Sequence, residues 1–151
     1  SWLAPYLIDI NRLSQIEKLP LFDYLLDSLS WEQKSEFERL APKALKVPSG
    51  KEIALDYLPC LSHYSPVLAL KLQEAFGWRE TPTIVNGDIA VMIHLLSPAR
   101  RPLQVTQDLL SFWQNGYSEV RKEMRGRYPK HPWPEDPMTA VATAHTKQKL
   151  R

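Results

Sequence analysis

The 151-residue chain has a single cysteine, Cys60. No intrachain disulfide can form, and a reducing compartment is the natural expectation. No apolar run approaches the roughly 20 residues that a membrane-crossing helix needs. The opening Ser1-Trp2 has neither the basic start nor the uninterrupted apolar stretch of a signal peptide. With no initiator methionine either, the expectation is a cytoplasmic fragment of something longer, without a membrane partner.

Several chemistries are missing as well. Ser49-Gly50-Lys51 is followed by Glu52 where a phosphate-cradling loop needs Ser or Thr, and the earlier glycine of that motif is absent. Nucleotide hydrolysis is therefore not expected of this chain alone. There is no G-x-S-x-G elbow, and Cys60 with distant histidines is a chance combination in most proteins. Glu135-Asp136 are adjacent in a proline-rich segment, too exposed to hold split pKa values. Cys60 and His63 have ligand-like spacing, with His94 and His131 as conceivable partners, but a second close pair is lacking. No metal and no catalytic residue is expected.

Net charge is small as well, only +2. Its distribution is uneven: residues 1–60 carry seven Lys/Arg against nine Asp/Glu, residues 61–151 twelve against eight. The apolar share of 44% suffices for a sizeable core. The length suits one domain, or one with an appended subdomain.

The expected fold class is α+β. An N-terminal helical bundle segment leads to a small antiparallel sheet or partial barrel, then C-terminal helices and an extended proline-rich tail. Residues 1–47 read as helical. Leu3, Tyr6, Leu7 and Ile10 share one helical face, a second helix starts near Pro20, and Ser30 with Gln33 makes a capping box for a third through Leu40, stopped by Pro42. Residues 48–137 form the C-terminal domain. Ile53, Leu55 and Tyr57 alternate as in a strand. Ser65-Pro66 and Gly77 predict a helix across Pro66–Phe76, against an alternation of Leu68, Leu70 and Leu72 that suits a strand. Asn86-Gly87 predicts a hairpin from Thr83–Val85 to Ile89–Leu96, a stretch apolar enough for burial on both faces. A turn at Ser97–Pro102 leads to a strand near Leu103–Thr106. Helices follow, one closed by Asn115-Gly116 and one from Tyr117 to Arg125 ended by Gly126. Residues 138–151 read as a polar tail expected to fray.

The richest segment is Arg121–Pro137, RKEMRGRYPKHPWPEDP. Arg121, Lys122, Arg125, Arg127 and Lys130 suit phosphates, while Tyr128 and Trp133 offer rings that stack on unpaired bases. Arg100 and Arg101, pinned between prolines, are secondary candidates. The plainer reading is a solvated basic helix end whose aromatics pack onto their own domain.

Three strings together resemble one family: Leu72-Gln-Glu-Ala-Phe-Gly77, Leu95-Leu-Ser-Pro-Ala-Arg-Arg-Pro-Leu-Gln-Val-Thr-Gln-Asp-Leu109, and Arg125-Gly-Arg-Tyr-Pro-Lys-His-Pro-Trp-Pro-Glu-Asp-Pro137. They resemble the C-terminal region of bacterial HrpB-type helicases, ATP-dependent members of the DEAH-box RNA helicase group. The resemblance spans essentially the whole chain, with residues 1–47 similar to the end of the family's helicase-associated segment. It implies a parent whose two RecA-like lobes, absent here, use ATP and magnesium. This fragment would need no cofactor, and its partners would be single-stranded RNA or DNA and those lobes. By analogy with related helicases, the strands from Lys51 to Gln107 are expected to form a small oligonucleotide-binding (OB-like) barrel. Two functions follow from the resemblance: binding of single-stranded nucleic acid through the basic-aromatic segment, or docking on the lobes with Tyr128 and Trp133 as buried anchors. Arg100 stands where the family commonly has glycine. If that position needs a positive φ, arginine is costlier there.

Overall fold

The computed structural model describes residues 27–147. It divides into two units, Ser1–Pro42 and Lys43–Arg151. The helix expected from Leu3 to Ile10, and all but the end of the one near Pro20, lie outside the described residues. So does most of the expected bundle.

In the first unit, α1 spans Trp31–Leu40. Ser30 Oγ accepts from Gln33 N at 3.2 Å, and Gln33 Oε1 accepts from Ser30 N at 3.0 Å. Two N–H groups that a helix start leaves without partners are thus satisfied reciprocally. Ala41 caps the other end, just before Pro42.

The second unit opens on a strand where helix was expected. β1 (Ala44–Lys46) pairs antiparallel with β2 (Glu52–Ala54) through a tight turn, with Gly50 at φ +89°. A short 3-10 helix, Leu58–Ser62, leads to β3 (Val67–Lys71). The helix expected across Pro66–Phe76 is therefore absent: β3 passes into a single 3-10 turn, Leu72–Ala75. Pro66 and Ser65, which resemble a helix start, serve the sheet instead. The Pro66 carbonyl accepts from Met92 N at 2.9 Å, and Ser65 Oγ accepts from Gln107 Nε2 at 3.0 Å. Alternation decides the outcome, because in a strand Leu68 and Leu70 both reach one face, where they are fully buried.

β4 (Thr83–Ile84) and β5 (Ile89–Ala90) form the hairpin announced by Asn86-Gly87, with Val85, Asn86 and Gly87 all at positive φ. β6 (Met92–Leu96) lies between β3 and β7 (Pro102–Thr106), parallel to the first and antiparallel to the second. The sheet is thus mixed, since the long β3–β6 connection allows the crossover that parallel pairing needs. β6 buries Ile93 and Leu95 on one face, while Met92 and His94 opposite remain half exposed, so it is not covered on both sides. The described strands form sheets of two, three and two strands; no barrel closes.

α2 (Leu109–Ser111) starts on the Asp108 side chain, which accepts from Ser111 N at 3.0 Å. It does not stop at Gly116. A π turn, Phe112–Gly116, carries the chain straight into α3 (Tyr117–Arg127), past Gly126. The glycine serves packing rather than termination, because a Cβ at Gly116 would lie 3.0 Å from the Phe112 ring. The extra residue of the π turn brings Phe112, Trp113 and Tyr117 all to the core. There they meet Phe76, with ring centroids 5.2–6.4 Å apart. That spacing suits tilted and edge-on aromatic contacts.

Candidate nucleic-acid interface

Prolines 129, 132, 134 and 137 lack the N–H that a sheet ladder requires, so the segment after α3 can only accept hydrogen bonds at many positions. The fold supplies the donors. Arg121 Nε reaches the Trp133 carbonyl at 2.7 Å, Tyr117 Oη the Pro134 carbonyl at 2.6 Å, and Gln73 Nε2 the Pro132 carbonyl at 3.3 Å. Gly77 N donates to Pro137 O at 2.9 Å. Burial pushes the Tyr117 phenol well above its ordinary pKa, so it keeps the proton it donates. The segment is a strap fastened across its own domain. Its continuation is held too: Thr143 is buried with its N–H on Gln73 O, and Lys147 N donates to Lys130 O at 2.8 Å. The end of the tail expected to fray, residues 148–151, lies outside the described residues.

This fastening redistributes the expected site residues. Trp133 is only 7% exposed and its indole donates to Tyr128 O at 2.9 Å. Its ring is not free to stack on a base, contrary to expectation. Arg121 is spent on the strap, with Glu135 3.9 Å from its guanidinium. Lys122 pairs with Glu119 at 3.1 Å. Arg125, Arg127, Lys130, Arg100 and Arg101 are exposed, and none has an ion-pair partner among the described residues. Tyr128 is half-buried, edge-on to His131.

Two recesses collect four of these, while Arg125 and Lys130 line neither of them. Arg127 and Tyr128, at the end of α3, and Arg101, at the start of β7, line one groove of about 270 Å³ with Met124 and Glu123. Arg100 lines another of about 210 Å³, together with Lys51, Lys71, Glu52 and Glu74. Adjacent arginines thus serve different recesses. The turn explains it: Arg100 sits at φ +64°, Arg100 N donates to Ser97 O at 2.8 Å, and Arg101 N to Ser97 Oγ at 3.1 Å. The positive φ at which arginine is costlier than glycine is therefore present.

Lys51, Lys71 and Glu74 are not legible as a group in the sequence. Lys51 reads only as part of an incomplete nucleotide loop, and Lys71 and Glu74 stand inside an expected helix. Alternation through Leu68, Leu70 and Leu72 is the signal that points to them. Glu74 is 2% exposed, and its carboxylate makes no hydrogen bond or ion pair among the described residues.

Ser49-Gly50-Lys51 forms a hairpin turn between two strands rather than a strand-to-helix loop, so it does not fit the triphosphate of ATP or its magnesium. Among the described residues no three His, Cys, Asp or Glu side chains converge as metal ligands would. Burial, with Asp56 adding to it, pushes the Cys60 thiol up, which disfavours the thiolate a metal binds. No helix among the described residues is long and apolar enough to cross a membrane.

A protein family described as the C-terminal region of ATP-dependent helicases (HrpB_C) matches residues 2–137. The chain is 40% identical over 148 residues to the ATP-dependent RNA helicase HrpB of Escherichia coli K12, covering 98% of itself and 18% of that protein. Among solved structures, that of the E. coli DExH-box NTPase HrpB aligns with TM-score 0.74 at 40% identity, over 97% of this chain and 18% of the other. A second, of the E. coli DEAH/RHA helicase HrpB, aligns with TM-score 0.56 at 38% identity, over 88% of this chain and 16% of the other. The chain spans under a fifth of the length of these relatives.

Proposed function

Because the chain belongs to the HrpB-type family of ATP-dependent helicase C-terminal regions, we propose that it is an accessory nucleic-acid-binding region of a cytoplasmic RNA helicase. ATP and magnesium would be handled by RecA-like lobes elsewhere in the parent. One observation carries the reading: Arg101 and Arg127, far apart in sequence, line a single groove beside Tyr128. Guanidinium groups bind phosphate oxygens in fixed, paired geometry, and a neighbouring phenol adds a stacking edge. Glu123 in the same groove repels a strand that comes too deep. The contact would therefore be to the backbone, largely independent of sequence. Arg125 and Lys130 would extend the electrostatic footprint.

Fluorescence anisotropy of a labelled single-stranded oligonucleotide tests this, titrated with the chain at low and at moderate salt. Binding that weakens steeply with salt is expected. No association at low salt overturns it.

A docking role has one observation in its favour. Val141, 77% exposed, stands with Ala140 at the rim of a shallow surface formed by Pro132, Trp133 and Pro134. The parent's lobes are the natural occupant. In that case Val141→Asp would weaken the parent's interdomain packing and leave oligonucleotide binding intact.

A further inference from the structure

β3 is an edge strand whose outer side is paired at one end only. β6 takes its inner side along the whole length. On the outer side Val67 alone is paired: its N–H donates to Asp56 O at 2.9 Å and its carbonyl accepts from Asp56 N at 2.8 Å. Backbone groups alternate sides along a strand, so Ala69 and Lys71 aim theirs the same way as Val67. No β-partner meets them there among the described residues. The opposite wall has the same property. Leu55 N donates to Lys43 O at 2.8 Å and Val47 N to Lys51 O at 3.0 Å, so the odd-numbered residues around β2 turn towards β1. Glu52 and Ala54 therefore turn towards β3, yet the two strands do not pair beyond Asp56. They splay instead, and a recess of about 210 Å³ lies between them, with Ala54 and Ala69 too small to fill it.

A slot with open strand edges on both walls suits another peptide backbone, which alternates donors and acceptors at the same spacing. Phosphate oxygens could serve the N–H groups but not the carbonyls. The charges select the kind of peptide. Lys51, Lys71 and Arg100 line the recess without an ion-pair partner among the described residues, and they outnumber Glu52 and Glu74. Lysines on an open edge guard against self-pairing, since a second copy of the chain would bring like charges together. The same lysines favour a strand with acidic side chains. We propose that the recess is a docking slot for an extended acidic segment of a partner protein, which adds as a strand to the free edge of β3. The slot is independent of the nucleic-acid reading above, and the two stand or fall separately.

The test titrates the 151-residue chain with three labelled hexapeptides, read by fluorescence anisotropy. They are Thr-Glu-Val-Glu-Val-Thr, its counterpart with lysine for glutamate, and the acidic peptide N-methylated at both valines. The first should bind about tenfold tighter than either of the others, one lacking the charge and the other two ladder donors. Amide NMR should show the Ala69 and Lys71 N–H groups shifted and slowed in hydrogen exchange when it binds. In Lys51→Glu, a change at an exposed side chain, the preference for acidic over basic peptide should shrink to within about twofold. The penalty for N-methylation should remain. Equal binding of the three peptides, or none at millimolar concentration, overturns the proposal. So does protection that appears at Leu103 and Val105 of β7 instead. A full acidic preference in Lys51→Glu overturns the role of charge in the choice of partner. Oligouridylate that protects the Ala69 and Lys71 amides where the acidic peptide does not would assign the recess to nucleic acid and overturn the slot.

Discussion

Arg121 Nε donates to the Trp133 carbonyl at 2.7 Å, tying the middle of α3 to the strap that returns over it. A side chain with a charge suited to phosphate is thereby engaged in holding the fold. Its side chain is only 21% exposed, so the bond is partly shielded from water.

Arg121→Met should cost about 1.5–3 kcal/mol, the range for hydrogen bonds that involve a charged group. Trp133→Ala should cost more, about 3–5 kcal/mol, because it leaves a cavity and removes one of the two donors to the Tyr128 carbonyl, the other being His131 N. Urea midpoints at constant m-value measure both. If Trp133→Ala instead left stability unchanged and abolished oligonucleotide binding, the ring would have been a stacking platform after all.

Arg100→Gly should stabilise the chain by about 1 kcal/mol, since the left-handed conformation at φ +64° suits glycine. The same change removes a cation from the recess it lines. Oligonucleotide affinity should therefore fall as the melting temperature rises. A fall in both would mean that the arginine side chain packs more than it binds.

Arg101→Gln and Arg127→Gln test the groove together. Each should flatten the plot of log affinity against log salt, by roughly 0.7 for every phosphate of a single strand that the variant leaves without its cation. Stability should barely change, both side chains being exposed. An unaltered slope in the double variant would place the phosphate-binding cations elsewhere.

His131 gives the chain a pH dependence. Burial, with the Lys71 ammonium second, holds its pKa below the usual 6.5. An imidazole whose folded pKa is depressed contributes stability fully above its unfolded value, and loses it as pH falls through the folded one. Wild-type urea midpoints should thus decline between about pH 7.5 and pH 5, and less steeply in His131→Gln. Parallel declines would assign the effect to other groups.

Legibility varies along the chain for identifiable reasons. The Ser30–Gln33 box and the Asn86-Gly87 turn are readable because each is completed within a few residues. Pro66–Phe76 misleads because Ser65, Pro66 and Gly77 carry helix-end signals that the sheet uses for other purposes. Gly116 passes for a terminator because the ring it makes room for, Phe112, matters only once the helix is packed. The basic-aromatic segment is visible as composition, but composition does not separate Arg127, which lines a groove, from Arg121, which fastens a strap.

Taken alone, the order of amino acids determined the turn positions, the start of α1, the basic excess near the C-terminus and kinship with helicase C-terminal regions. These depend on neighbours along the chain or on matching strings of residues. Packing decided that Val67–Lys71 joins a sheet, that Trp133 is interior and that Arg100 and Arg101 serve different recesses. Those outcomes depend on distant segments, such as β6, α3 and the carbonyls of a donor-poor strap. Burial and hydrogen-bond pairing are settled only when such segments meet.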